Sequence, residues 1–187
     1  MTRVKALSVL QTVELLNQRH GEVQLERVRQ RLSPEARQAI YESHLVPSDW
    51  VELTHAVENM VVIDAVIGRG DATLCHQLVR ELAAEHYGGI YRFLFRMLVS
   101  PRMIVERAER LWSRYYDRGD VSAEMRGEHA AVVEIRGCPD LPRHHEWMIL
   151  PYMQEVLERV GAKNVAATQT RCVADGAESC VCELKWE

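Results

Sequence analysis

The chain has 187 residues, 47% of them apolar, and a formal net charge of −4 at pH 7. That length buries one good core, and basic residues interleaved with acidic ones give no general attraction for nucleic acid. No run nears the roughly 18–20 continuous apolar residues that span a bilayer, since VVIDAVI is broken by Asp64.

Val9, Leu10, Val13 and Leu16 recur at helical spacing, and Arg19-His20-Gly21 reads as a stop, after which a short helix runs through Leu25, Val28 and Leu32. This opening reads as an amphipathic helix with no export signal, which together with an odd number of cysteines, five, points to a reducing cytoplasm. Ser33-Pro34-Glu35 is a helix start, with a capping hydroxyl, a proline at the first helical position and an acid in the first turn. Pro47-Ser48-Asp49 and Ser100-Pro101 read the same way. Residues 49 to 67 form the longest predicted helix, with Leu53, Val57, Met60, Asp64 and Ile67 on adjoining turns and Trp50, Ala56 and Ile63 beside them, a wide apolar stripe at the centre of the helical part. Gly68-Arg69-Gly70-Asp71 ends it, and Asp71 caps the next helix, which runs to about His86, so this RGD tripeptide is a turn and a cap. An apolar helix follows Gly88-Gly89, and Ile104, Ala108, Leu111 and Tyr115 stripe another after Pro101.

From Val121 the rhythm becomes alternating. VSAEM and AAVVEI read as strands around Arg126-Gly127-Glu128, a helix covers about residues 143 to 160 with a kink or restart at Pro151, and two further strands flank Asp175-Gly176. The predicted fold is α+β in a single domain, residues 1–187. A helical part, 1–117, packs on a four-stranded antiparallel sheet built by the β-β-α-β-β segment 121–187.

A hairpin symmetric about Gly176 sets Cys172 opposite Cys180. Alternation then buries Ala166, Thr168, Thr170, Cys180, Cys182, Leu184 and Trp186, leaving Gln169, Arg171, Glu183 and Lys185 outside. Buried thiols read first as small core hydrophobes. The sharper reading is a zinc site in which Cys172 and Cys180 supply two thiolates, with Glu146, His144, His145, Cys182 and Cys138 as candidates for the rest. For haem, an axial ligand would come from His86 or His55. Catalysis has no support from G-x-S-x-G, P-loop, H-E-x-x-H or G-x-G-x-x-G patterns, so the chain is not read as an enzyme.

Through VKALSVLQTVELL with HGEVQLERV, GGIYRFLFRMLVSPRMIVERAERLWSRYYDRG and TRCVADGAESCVCELKW, the whole chain resembles a myxobacteria-restricted family of paralogous proteins of this size, 21.5 kDa here, whose function is uncharacterised. Its last third, through C-x7-C and the alternating strand after it, also resembles the 4-vinyl reductase domain, a small-molecule-binding module. The helices-then-sheet layout is similar to that of the haem nitric-oxide-binding domain. The 4-vinyl reductase resemblance implies zinc at Cys172 and Cys180, with Glu146 where phenol-sensing relatives place a third cysteine and Gln169 where they place a glutamate. The histidine-containing signature of haem nitric-oxide sensors is absent from the chain, so haem is not expected.

The function expected is that of a non-catalytic cytoplasmic sensory or regulatory domain that binds a small hydrophobic or aromatic ligand and signals through protein contacts. Tyr91, Phe95, Trp112, Tyr115, Trp147 and Tyr152 are the aromatic residues expected to line the ligand site. A homodimer or other protein partner is expected, with no nucleic acid and no membrane span. The alternatives are a ligand-free dimeric adaptor and a haem- or tetrapyrrole-binding protein.

Overall fold

The structure, a computed structural model, describes residues 1–86, 99–139 and 145–187, with the backbone alone at 85 and 86. Tyr91, Phe95, Arg92, Arg96, His144 and the side chain of His86 lie outside the described residues.

Gly21 stands at φ 77° and ψ 167°, which breaks α1 (Ala6–Arg29) into the two helical limbs its sequence announces. Thr12, Leu15 and Leu16 are buried on the first limb, Leu25 and Val28 on the second. Ser33 Oγ accepts the Ala36 N–H at 3.2 Å at the head of α2 (Pro34–Arg37), which continues as one π-helical turn, Gln38–Glu42. Ser100 Oγ does the same for Met103 at the head of α5 (Pro101–Val105), which is followed by α6 (Ala108–Tyr115).

The third start signal behaves differently. Asp49 turns its carboxylate to the Val46 N–H at 2.9 Å and its carbonyl to the Ala6 N–H at 3.0 Å. The chain then enters a strand, β2 (Trp50–Glu52), before α3 (Leu53–Val66) begins. β2 pairs antiparallel with β1 (Arg3–Lys5) in the register Val4 to Val51. Three residues carry too little periodicity to separate such strands from the helices they precede.

α3 ends at the loop before α4 (Thr73–His86). Asp71 Oδ1 takes the Thr73 N–H at 3.0 Å, and the Ala72, Leu74 and Cys75 N–H groups all donate to the fully buried carboxylate of Asp64. The helix start is therefore held from inside by the preceding helix as well as by its local cap.

The second half has the predicted β-β-α-β-β order: β3 (Asp120–Met125), β4 (Ala130–Arg136), α7 (Leu150–Arg159), β5 (Ala166–Arg171) and β6 (Cys180–Lys185). They form a four-stranded antiparallel sheet ordered β3-β4-β6-β5. A π-helical turn, His145–Ile149, leads into α7, and Pro151 sits in that helix's first turn, where a missing N–H costs nothing. Val133, Ile135, Cys180 and Leu184 from the sheet pack with Val4, Leu53, Trp112 and Leu157 in one core, and a second core lies among the helices around Leu16, Val28, Ile63 and Leu78. Among the described residues no helix is long and apolar enough to cross a membrane.

One strand corrects the predicted facing. β6 buries Cys180, Cys182 and Leu184 as expected, but on β5 it is Ala166, Thr168 and Thr170 that are exposed. Gln169 pairs with Cys182 while Arg171 pairs with Val181, a register shift that marks a bulge at Thr170. One extra residue inverts the alternation on its far side, so counting back from Cys172 places Arg171 correctly outside but assigns the β5 side chains before the bulge to the wrong face. Ala167 and Gln169 are the more buried ones.

Candidate functional site

Two places in the molecule have site-like geometry. The first is a cavity of about 170 Å³ between α1, α5, α6 and α7 on one side and the sheet on the other. Val133, Ile135 and Leu184 form its sheet wall, and the lining is otherwise almost wholly apolar. Trp112, Tyr115 and Tyr152 line it. Trp147 packs instead against the second core among the helices.

Trp112 is fixed from two sides. Its ring stacks on Tyr116 at 3.9 Å between centroids, and its Nε1–H donates to the Arg118 carbonyl at 2.8 Å. Gly119 makes this possible: at φ 96° it follows the turn, and a Cβ there would strike Cys138 Sγ. Burial pushes the Tyr116 phenol well above its ordinary pKa, with Cys138 and Tyr115 adding to the shift, so it stays neutral.

The second place is the end of the sheet. His145, Cys172 and Cys180 are all buried, and their ligand atoms lie within 4.8 Å of one another. His145 Nε2 is 2.9 Å from Cys172 Sγ and 2.7 Å from Gln169 Nε2, while its Nδ1 accepts the Glu146 N–H at 2.8 Å. Backbone amides from the single 3₁₀ turn Val173–Asp175 point at both sulfurs: Ala174 N–H at Cys172 Sγ, 3.3 Å, and Val173 N–H at Cys180 Sγ, 3.5 Å. Burial pulls the His145 pKa below its ordinary value against the carboxylates of Glu146 and Asp175. It pushes the Cys180 thiol up, with Cys172 adding to the rise, and the Cys182 thiol up to about 12.

Of the predicted ligands, the structure thus brings Cys172 and Cys180 together with His145 and leaves Glu146 exposed, one residue along. The reason is local. A π-helical turn carries more residues per turn than an α-helix, and across His145–Ile149 that turns histidine, not glutamate, toward the hairpin. The inward facing of Gln169, expected outside, comes from the bulge, for which no residue in ATQTR gives a signal. His55 lies away from both places, in an i,i+3 contact with Glu52 at 3.7 Å.

Comparison with solved structures shows the fold. The chain is similar to the Fe(II) unliganded H-NOX protein from K. algicida, with a TM-score of 0.71 and 9% identity, covering 98% of this chain and 96% of that one. It is similar to the S. oneidensis H-NOX protein in the Fe(II)NO state, at a TM-score of 0.70 and 8% identity over 98% and 99% of the two chains. A mutant of the T. Tengcongensis H-NOX protein gives 0.65 and 9%, covering 98% and 97%. No curated protein matches the sequence.

The description of one such neighbour names heme distortion in the H-NOX family, which brings back the haem that the sequence alone did not lead one to expect. Among the described residues that line the cavity there is no histidine, cysteine, arginine or lysine, and the donor atoms are thioethers of Met148 and Met153, phenols and a few small polar groups. An iron porphyrin asks for an axial ligand and for partners to its carboxylates, and a phenol held neutral by burial, as at Tyr116, is a weak candidate for the first. In sequence, the model of one family, described as protein of unknown function (DUF2378), matches residues 5–187, and the chain belongs to that family.

Proposed function

We propose that this chain is a non-catalytic sensory or regulatory domain that takes a compact apolar ligand of one or two rings into the cavity between its helices and its sheet, and passes on occupancy through a protein contact. The cavity carries this reading. An apolar space of roughly 150 Å³ inside a folded protein stays dry and accepts benzene, and the space here is about 170 Å³. Pockets for drug-sized ligands run to about 300–1,000 Å³, which argues for a small molecule. The fixed ring of Trp112 offers a flat wall, and Ser8 and Thr12 supply the few polar atoms that would orient a ligand hydroxyl. The cavity is walled by α5, α6 and α7 together with the sheet, so a ligand there would bear on the packing of helices against strands.

The test is thermal stabilisation of the chain by phenols, naphthols, short fatty acids and tetrapyrroles, because a ligand that binds only the folded state raises its melting point. Stabilisation by one- or two-ring compounds supports the proposal. No stabilisation by any of them favours the ligand-free adaptor.

The fold likeness favours a second reading, a haem or tetrapyrrole protein. Titration with haem separates the two. One equivalent bound per chain, with a Soret band that moves on adding nitric oxide, transfers the function to haem. Broad, non-stoichiometric absorbance leaves it with the small apolar ligand. The likeness of the last third to 4-vinyl reductase domains rests on its C-x7-C and the strand that follows, and it supports either ligand class.

A further inference from the structure

A domain that passes on occupancy needs a surface that meets its partner, and α6 carries one on the side that does not line the cavity. We propose that the stripe Arg107, Arg110 and Arg114 docks an acidic α-helix of a partner protein, the three guanidinium groups binding its carboxylates, and that a ligand in the cavity acts on this contact through α6. The docking rests on the residues of the stripe; only its control by a ligand rests on the reading above.

Charge is the first argument. The chain carries a net charge of −4, and many of its arginines are committed to acids of their own fold: Arg80, Arg102 and Arg159 each pair with a glutamate. Arg107, Arg110 and Arg114 are exposed and have no ion pair among the described residues. The acids nearby in sequence do not cancel them. Glu109 stands about 100° round the helix from Arg110, and Asp117, beyond the end of α6, is held by Arg3 at 2.7 Å. A negative segment approaching a chain that is negative overall is therefore drawn to this face.

Spacing says what kind of segment. Positions i, i+3 and i+7 share one side of a helix, and at 1.5 Å per residue Arg107 and Arg114 are about 10 Å apart along it. A second helix laid alongside repeats that spacing, so Asp or Glu at i, i+3 and i+7 of the partner meets all three arginines. Each guanidinium can bind a carboxylate through two parallel hydrogen bonds, which fixes orientation as well as adding attraction. Three charges over two turns make a short track for a nucleic acid, whose affinity grows with the number of phosphates neutralised.

The link to the cavity is in the same helix. Ala108, Leu111, Trp112 and Tyr115 of α6 line the cavity. Of its eight residues only Trp112 is buried, and no side chain caps its start, so its position depends on what fills the space beneath it. Trp112 also donates to the Arg118 carbonyl at 2.8 Å, which ties the ring facing the ligand to the backbone just past the stripe. A ligand that displaces the ring displaces the arginines with it.

The experiment uses the full chain and, as probe, a labelled alanine-based helical peptide with glutamates at i, i+3 and i+7, followed by fluorescence anisotropy and by the arginine side-chain N–H signals in nitrogen-15 NMR. With no ligand present, saturable binding tighter than about 1 mM is expected. It should shift the Arg107, Arg110 and Arg114 signals and weaken at least about threefold between low salt and about 0.15 M. A peptide of the same composition with its glutamates scattered round the helix should bind at least about tenfold more weakly, on the scale of three exposed ion pairs. So should the chain carrying Arg107→Gln, Arg110→Gln and Arg114→Gln together, with its melting point nearly unchanged, whereas Arg31→Gln, at an exposed arginine elsewhere, keeps the binding. Equal affinity for the two peptides, undiminished binding by the triple variant, or no saturable binding by the wild type overturns the proposal. Tighter binding of a DNA duplex or of phosphatidylserine vesicles, lost with the same three arginines, overturns it as well and gives the face to phosphate groups. The phenol or naphthol that most raises the melting point should then change the peptide affinity at least about threefold. If it leaves that affinity unchanged, the link between cavity and stripe is overturned while the ligand reading stands; peptide binding with no stabilisation by any compound keeps the stripe and removes the ligand.

Discussion

The helical half and the sheet half each bury a polar constellation, and the two are satisfied differently. In the helical half, the Asp64 carboxylate is fully enclosed and accepts three backbone N–H groups at 2.9 to 3.3 Å. Its oxygens are committed to the start of α4. In the sheet half, His145, Cys172 and Cys180 lean mainly on one another and on two long N–H···S contacts. The first arrangement closes a structure, and the second keeps coordinating capacity in hand. Burial alone does not separate structural from functional polar residues; spare lone pairs do.

Breaking the closed site should have the largest effect. In Asp64→Ala the Ala72, Leu74 and Cys75 amides lose their acceptor, and at about 1–3 kcal/mol per buried unpaired group, with water recovering part, the expected loss is about 3–5 kcal/mol. At roughly 2–4 °C per kcal/mol for a chain of this size, the melting point should fall by about 10–15 °C. Asp64→Asn keeps one acceptor oxygen and should lose about half as much. A loss below about 1 kcal/mol in urea titration, within the error of a surface substitution, would place Asp64 outside the closed class.

The open site should respond instead to the zinc expected at Cys172 and Cys180. Zinc at 100 times its dissociation constant should stabilise the chain, stripped with a chelator, by about 2.7 kcal/mol, measured as a calorimetric shift with and without the metal. Cys180→Ser should lose that increment. Asp64→Ala should keep it, because the two halves do not share the ligands.

The cavity offers a milder contrast, a region whose specificity is shape alone. Ala108 lines it from α6 and is partly buried. Ala108→Leu should extend into the empty space, stabilise the ligand-free chain by about 1 kcal/mol at about 0.8 kcal/mol per methylene that is fully enclosed, and reduce ligand affinity at least tenfold. A destabilised variant would mean that the space is already filled as tightly as a core.

Legibility followed the reach of each signal. The change of rhythm at Val121 announced the sheet, and Ser33 and Ser100 announced helix starts, because caps and alternation are written in neighbouring residues. Asp64 looked like one more member of an amphipathic stripe, since its partners are 8 to 11 residues away. Cys172 and Cys180 stood out by chemistry. His145 was one of five candidates beside them and Gln169 was assigned to the outer face, because a π-helical turn and a bulge each displace the facing by one residue, and sequence period carries no trace of either. Trp112, Tyr115 and Tyr152, three of the aromatic residues the sequence singles out, line the cavity, while its sheet wall is ordinary valine, isoleucine and leucine.

The outward face of the sheet sharpens the comparison from the other side, with a well-bonded polar cluster in which Ser179 is buried while water reaches the Glu134 carboxylate and the arginines. Glu134 accepts the Ser179 hydroxyl at 2.6 Å and pairs with Arg136 at 2.7 Å and more loosely with Arg171 at 4.0 Å. The Ser179 hydrogen bond first, and then the two arginines, hold its carboxyl below the ordinary 4.5. A depressed carboxyl pKa contributes stability that is complete above the unfolded value and disappears as pH falls through the folded one, so the acid limb belongs below about pH 4.5. Ser179→Ala removes the largest cause and should move the Glu134 carboxyl upward in a carbon-13 NMR titration. The accompanying change in melting point should be the smallest of the four and should shrink in acid, because water reaches the Glu134 carboxylate and replaces much of the bond it loses. If this variant proved as costly as Asp64→Ala, the number of bonds, not the exclusion of water, would be the quantity that separates the two halves.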